Sequence, residues 1–173
     1  DFCLSRGLGD VYKRQVLLSD EINFQIKKVK IDTEGHFIMI KGIMHQEDIT
    51  LINIYAPNQG ASKYVKLLLT ELKGETDQNT VRVGDLNTPL SDMNRSSKQK
   101  TNKEIESLND TVDQLDIIDF YRAYHPITAA YTFFSRAHGT FLRINHILGH
   151  RNSLDKYKSC LLYTSPSPRD RQK

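Results

Sequence analysis

The run Leu51-Ile52-Asn53-Ile54-Tyr55 constrains this chain more than any other stretch, because four of its five side chains are apolar or aromatic. A strand with one wet face alternates apolar and polar residues; this one does not, which predicts a strand inside a sheet covered on both sides. Ala56-Pro57-Asn58-Gln59-Gly60 ends it, since proline removes a ladder donor and glycine frees the backbone. Upstream, "FQIKKVKID" and "HFIMIKG" read as strands joined at Thr33-Glu34-Gly35, and the polar "MHQED" links them to "DITLINIYA". Downstream, Val65, Leu68, Leu69 and Leu72 recur at helical spacing, with Ser62 as a candidate cap and Gly74 as a candidate stop. "NTVRVGD" is the next strand, ending at Asp85, and a polar loop from Thr88 to Lys100 leads to a second helix with Ile105, Leu108, Val112 and Leu115 on one stripe. "YTFFS" and "TFLRINHILG" close the chain as strands around "RAHGT". This order implies an α/β or α+β layered domain with helices covering sheets.

The two ends do not belong to this pattern. Back-translated "DVYKRQ" (residues 10–15), read on the opposite strand and one base in, encodes Cys-Leu-Leu-Tyr-Thr-Ser, which is residues 160–165. "SRGLG" (residues 5–9) extends the match into "SPSPRD" (residues 165–170), and the shared segment resembles a transposase-based sequencing-library adapter. The expected organisation is therefore an adapter-derived tail at 1–15, a domain fragment at 16–159 and a second such tail at 160–173. The tails carry Arg6, Lys13, Arg14, Arg169, Arg171 and Lys173 against Asp1, Asp10 and Asp170, so the whole net charge of +3 resides in them. A neutral remainder offers no charge argument for nucleic-acid binding. Cys3 and Cys160 also fall in the tails, leaving no disulfide framework or thiolate metal site and suiting an intracellular setting. No apolar run approaches the roughly 18 residues that span a membrane, so no membrane partner is expected.

The chemistry-bearing residues cluster at strand ends. Asp85 and Asn87 stand two apart where a buried-type strand stops, so one turn can bring a carboxylate and an amide together. The carboxylate suits Mg²⁺ or an attacking water, and the amide suits a phosphate oxygen gaining charge. The competing reading is an Asx turn that merely ends the strand. Tyr55 either donates its phenol to a phosphate or packs as a half-buried core tyrosine. Arg95, Lys98 and Lys100 form a basic loop, solvated or set against a DNA backbone. Arg136, His138 and Arg143 flank a predicted hairpin at "SRAHGTFLR" that is either a surface turn or a DNA contact. His146 and His150 are four apart, but Gly149 interrupts a helix and no Glu follows His146, so they do not match HExxH metal spacing; His146 is expected to pack beside the sheet.

Taken in order, "LINIYAPN", "VGDLNTPLSDMNRSS", "LNDTVDQLDIIDFYRAYHP", "YTFFS" and "RINHILG" resemble the endonuclease domain of mammalian LINE retrotransposon polyproteins, over residues 16–158. That domain belongs to the exonuclease-endonuclease-phosphatase superfamily with deoxyribonuclease I and apurinic endonucleases. The resemblance implies a four-layered α/β sandwich, two mixed sheets face to face with helices outside, here partial. It also implies Mg²⁺-dependent hydrolysis of a DNA phosphodiester, a parent chain fused to a reverse transcriptase, and a nuclear and cytoplasmic parent protein. In this setting Asp85 orients or deprotonates the attacking water, with Asp85 a metal ligand as well, while Asn87 and Tyr55 bind the scissile phosphate.

Three departures accompany the resemblance. The family's Asn and metal-binding Glu are expected upstream of Val16, and its terminal Ser-Asp-His segment downstream of Ser159. Asn145 stands in "RINHILG" where the family has the Asp that pairs with the catalytic histidine; the analogous change in a serine-protease triad costs roughly 10⁴ in turnover. The expectation is a catalytically inactive fragment with uncovered sheet faces and poor solubility. Two rivals stand beside it: a superfamily relative acting on a phosphomonoester or lipid headgroup, and a non-catalytic nucleic-acid-binding module.

Overall fold

A computed structural model describes residues 2–4, 16–18, 22–96, 102–136, 139–157 and 160. In chain order the strands are β1 (Phe2–Leu4), β2 (Val16–Leu18), β3 (Phe24–Ile31), β4 (Phe37–Met44), β5 (Glu47–Tyr55), β6 (Thr80–Asp85), β7 (Ile117–Asp119), β8 (Phe133–Ser135), β9 (Thr140–Leu142) and β10 (Asn145–His150). The helices are α1 (Ala61–Glu71), α2 (Lys103–Gln114) and α3 (Phe120–Tyr124). The central sheet has six strands in the order β3-β4-β5-β6-β10-β7, and β1-β2 and β8-β9 form two small antiparallel pairs. Within the central sheet only β5 and β6 run parallel, which requires the crossover that α1 supplies.

Helix periodicity decides which face is covered. Val65, Leu68, Leu69 and Leu72 from the first helical segment and Leu108 and Val112 from α2 pack with Phe37, Met39, Ile52 and Ile54 of the sheet in one core cluster. Each fully buried side chain of this size stabilises by roughly 1.5–3 kcal/mol. On the other face, Leu51, Asn53 and Tyr55 are only half-buried, although Ile38 and Ile40 beside them are fully buried. The expected cover on both sides of β5 is thus complete on the helix side alone. No described helix is long and apolar enough to cross a membrane.

Local chemistry corrects several expectations. Ser62 is not the cap of α1: Gly60, at φ 67°, holds that position, and the buried Ser62 hydroxyl bonds the Thr88 hydroxyl at 3.0 Å. The unassigned cap of α2 is Asn102, whose side chain accepts from the Ile105 N–H at 2.9 Å. The link after β4 is a two-residue turn, His45-Gln46, both left-handed at φ 51° and 66°, a geometry more often given to Asn-Gly. "TFLRINHILG" is two strands, β9 and β10, in different sheets. Thr132 marks the break, its hydroxyl accepting from the Ile144 and Asn145 N–H groups at 3.1 and 3.3 Å.

The sheet's outer strand, β3, shifts register between Ile26 and Lys28 and carries Lys27, Lys28 and Lys30. Lys27 pairs with Asp48 at 2.6 Å, and Lys28 and Lys30 share Glu75 at 3.1 and 2.7 Å. Cys160, assigned by sequence to the second tail, is buried beside Phe120 and Tyr121, and burial pushes its thiol above the usual range.

Candidate active site

Strand register assembles the site. Tyr55 of β5 pairs with Asp85 of β6, and Asp85 pairs in turn with Asn145 of β10. Paired positions point to the same side of a sheet, so the three residues form one row across adjacent strands. The row lies on the face away from α1 and α2, because Ile52 and Ile54, one residue out of phase with Tyr55, enter the helix-side core. All three are half-buried, reachable by a ligand yet partly shielded from water.

Gly84 makes the strand end possible. At φ 135° it sits so close to β5 that an added Cβ would lie 2.0 Å from the Ile54 carbonyl oxygen. Beyond it the chain is stitched to both neighbours: the Ala56 N–H donates to the Asp85 carbonyl at 2.9 Å, and the Leu86 N–H to the Ile144 carbonyl at 2.8 Å. Leu86 plugs the core at 1% exposure. Asn87 turns left-handed at φ 47°, and its N–H donates to Asp85 Oδ1 at 2.9 Å. The tripeptide is therefore an Asx turn, and that turn orients the carboxylate. The Asn87 side-chain amide donates to the Ala56 carbonyl at 2.5 Å, which braces the turn against the end of β5.

One residue along β10, His146 faces the opposite side and is 2% exposed. Its Nδ1 lies 3.0 Å from Asp119 Oδ2 and its Nε2 3.0 Å from the Thr88 carbonyl oxygen. The ring is thus held between two acceptors, a carboxylate and a carbonyl. Asp119 also binds Arg143, which is 0% exposed and whose Nε donates to Asn94 Oδ1 at 3.0 Å. Burial pushes the Asp119 carboxyl up, but bonds and charges from His146 and Arg143 outweigh it and hold the group at about 2. The turn after Asp85 thus rests, through Thr88, on a buried ionic network.

Sequence reasoning assigned no role to Asp119 or Asn94, though a carboxylate inside Ile117-Ile118-Asp119-Phe120 signals a buried partner. Arg143 is corrected: it is a core cation, locked to Asp119 and lying 5.0 Å from the Tyr121 ring centre, and does not reach a surface ligand. His146 packs in the sheet, as a member of β10. Arg95 is half-buried, its backbone bridged to Leu142, while Arg136 is exposed beside the β8-β9 hairpin. Phe133, Phe134 and Phe141 of that hairpin are about half exposed, with Phe134 and Phe141 ring centres 4.7 Å apart. Lys98, Lys100 and His138 lie outside the described residues.

Among the described residues no group of three acidic, histidine or cysteine side chains could hold a metal ion. The row contributes one carboxylate, with one oxygen already engaged by the Asn87 N–H, beside an amide and a phenol. That set does not fit a resident Mg²⁺ site of the kind held by carboxylates alone.

No protein-family model matches the chain. Among solved structures it is similar to an AP endonuclease from Archaeoglobus fulgidus, with TM-score 0.63, 19% identity, and 84% of this chain covered against 66% of that one. It is likewise similar to the endonuclease domain of TRAS1, a telomere-specific non-LTR retrotransposon, with TM-score 0.62 and 12% identity over 89% of this chain and 68% of that one. A third is the 3′ phosphatase NExo from Neisseria bound to a product DNA hairpin, with TM-score 0.57 and 17% identity over 89% and 68%. The chain spans about two thirds of these structures' lengths. Its fold is the mixed α/β fold of deoxyribonuclease I-like endonucleases.

Proposed function

We propose that the chain derives from a DNA-nicking phosphodiesterase of the LINE retrotransposon type and carries the phosphate-facing part of its site without turning over by itself. The observation that supports this most is the row Tyr55-Asp85-Asn145, which aligns a phenol, a carboxylate and an amide from three separate motifs on one sheet face. Asp85, held by the Asn87 N–H, orients an attacking water, and Tyr55 donates to a phosphate oxygen. Asn87 acts through Asp85 and Ala56 as a positioning residue. Mg²⁺ is the cofactor of the parent reaction, but the described donors do not complete its shell. DNA is the partner, in keeping with the product hairpin held by the Neisseria structure, with Arg136 and the β8-β9 hairpin as its contact. The nick would supply the 3′ end for a reverse transcriptase in the parent polyprotein.

Inactivity rests on Asn145. An amide opposite Asp85 cannot stabilise an imidazolium as a carboxylate does. With supercoiled plasmid and Mg²⁺ no nicking is expected; nicking that disappears in Asp85→Ala overturns the inactivity. Binding to duplex DNA should weaken steeply with salt and further in Arg136→Ala, and binding indifferent to both overturns the DNA reading. The phosphatase among the similar structures favours one rival, a phosphomonoesterase, which release of inorganic phosphate from a 3′-phosphorylated oligonucleotide would reveal.

A further inference from the structure

Three residues before Asp85 on β6, and on the opposite face, Arg82 lies between Ile52 of β5 and Leu148 of β10, both members of the helix-side core. It is 5% exposed, and its Nε is buried with no hydrogen-bond partner among the described residues. Taking a cation out of water without an acceptor costs several kcal/mol, so such a group demands a counter-ion.

The guanidinium borders a cavity of about 280 Å³ lined also by Lys73, Gln114 and His150. His150 Nδ1 accepts from the Asn152 N–H at 3.2 Å, which fixes the ring's other nitrogen, Nε2, as an N–H donor. Two acids share the lining, Asp77 and Asp116, but both are exposed and screened by solvent. Asp77 Oδ1 is moreover occupied by the Asn79 N–H at 2.9 Å and the Thr80 hydroxyl at 3.1 Å. Of the charged side chains in the lining, the arginine is the deepest and least screened. A water takes about 30 Å³, so the space suits one phosphate-sized anion with a few waters and is small for a nucleotide.

We propose that Arg82, His150 and Lys73 form a binding site for a single small oxyanion, phosphate or a short carboxylate, separate from the Tyr55-Asp85-Asn145 row. Burial, opposed by the charge of Asp77, lowers Arg82 to about 10, consistent with a cation short of acceptors.

The test titrates the full chain with inorganic phosphate, against chloride at matched ionic strength, following the thermal midpoint and calorimetric heat. Phosphate should raise the midpoint saturably, and acetate should do so more weakly. In Arg82→Leu the apparent affinity should fall by at least roughly tenfold, while the midpoint in chloride stays equal or rises because an unpaired buried charge has gone. Should that variant not fold, the surface substitution Lys73→Ala should still weaken phosphate by about threefold. A wild-type chain with no saturable response overturns the site, as does a response unchanged in Arg82→Leu or, if that variant cannot be made, in Lys73→Ala.

Discussion

Asn145 and His146 are neighbours on β10, and the strand's alternation sends them into opposite environments. Asn145 joins a half-buried polar row held by backbone pairing, whereas His146 enters an ionic network with Asp119, Arg143 and Asn94 where the arginine and the imidazole are wholly buried. The row is half-buried, so its side chains are within reach of a ligand. The network is built to hold position, since every member depends on the others for compensation.

That contrast breaks most visibly in the network. Arg143→Ala leaves Asp119 with one cationic partner fewer and should cost about 3–5 kcal/mol in urea denaturation, against less than about 1 kcal/mol for Asn145→Ala. Equal losses would erase the distinction. Gly84→Ala should destabilise by about 1–3 kcal/mol, because the new methyl meets the β5 backbone rather than a movable side chain.

Acid sharpens the comparison. The Asp119 carboxyl is lowered from 3.8 to about 2, so its stabilisation is complete above about pH 4 and is lost as pH falls through about 2. The expected loss is about 2 kcal/mol, read from denaturation midpoints across that window and missing in Asp119→Asn. Smallest of all, Tyr55→Phe should change stability by less than about 1 kcal/mol while weakening duplex DNA binding. A loss confined to stability would place the phenol in the core instead.

Much of this was legible in local pattern. The apolar runs located β4, β5 and β6, and the leucine stripes located α1 and α2. Asp85 and Tyr55 are each visible at a strand end and Asn145 inside a longer apolar run, but their alignment depends on which strands pair and in what register, a long-range property absent from any local window. The break between β9 and β10 escaped notice because Arg143-Ile144 contains no glycine or proline. The polar link "MHQED" marks the turn at His45-Gln46, but its left-handed form is hidden, because these residues rarely take such backbone. The network's central pair, His146 and Asp119, is 27 residues apart, so only the oddity of each charge in an apolar run hinted at it.

The bulged, lysine-bearing strand β3 bears on how copies of this chain meet in solution. An open sheet rim invites a second molecule to add its own strand, and here that approach must bend around a kink and strip water from Lys27, Lys28 and Lys30. Those lysines are already paired with Asp48 and Glu75, so such a union must also part ion pairs, which opposes fibril-like stacking at this margin of the sheet.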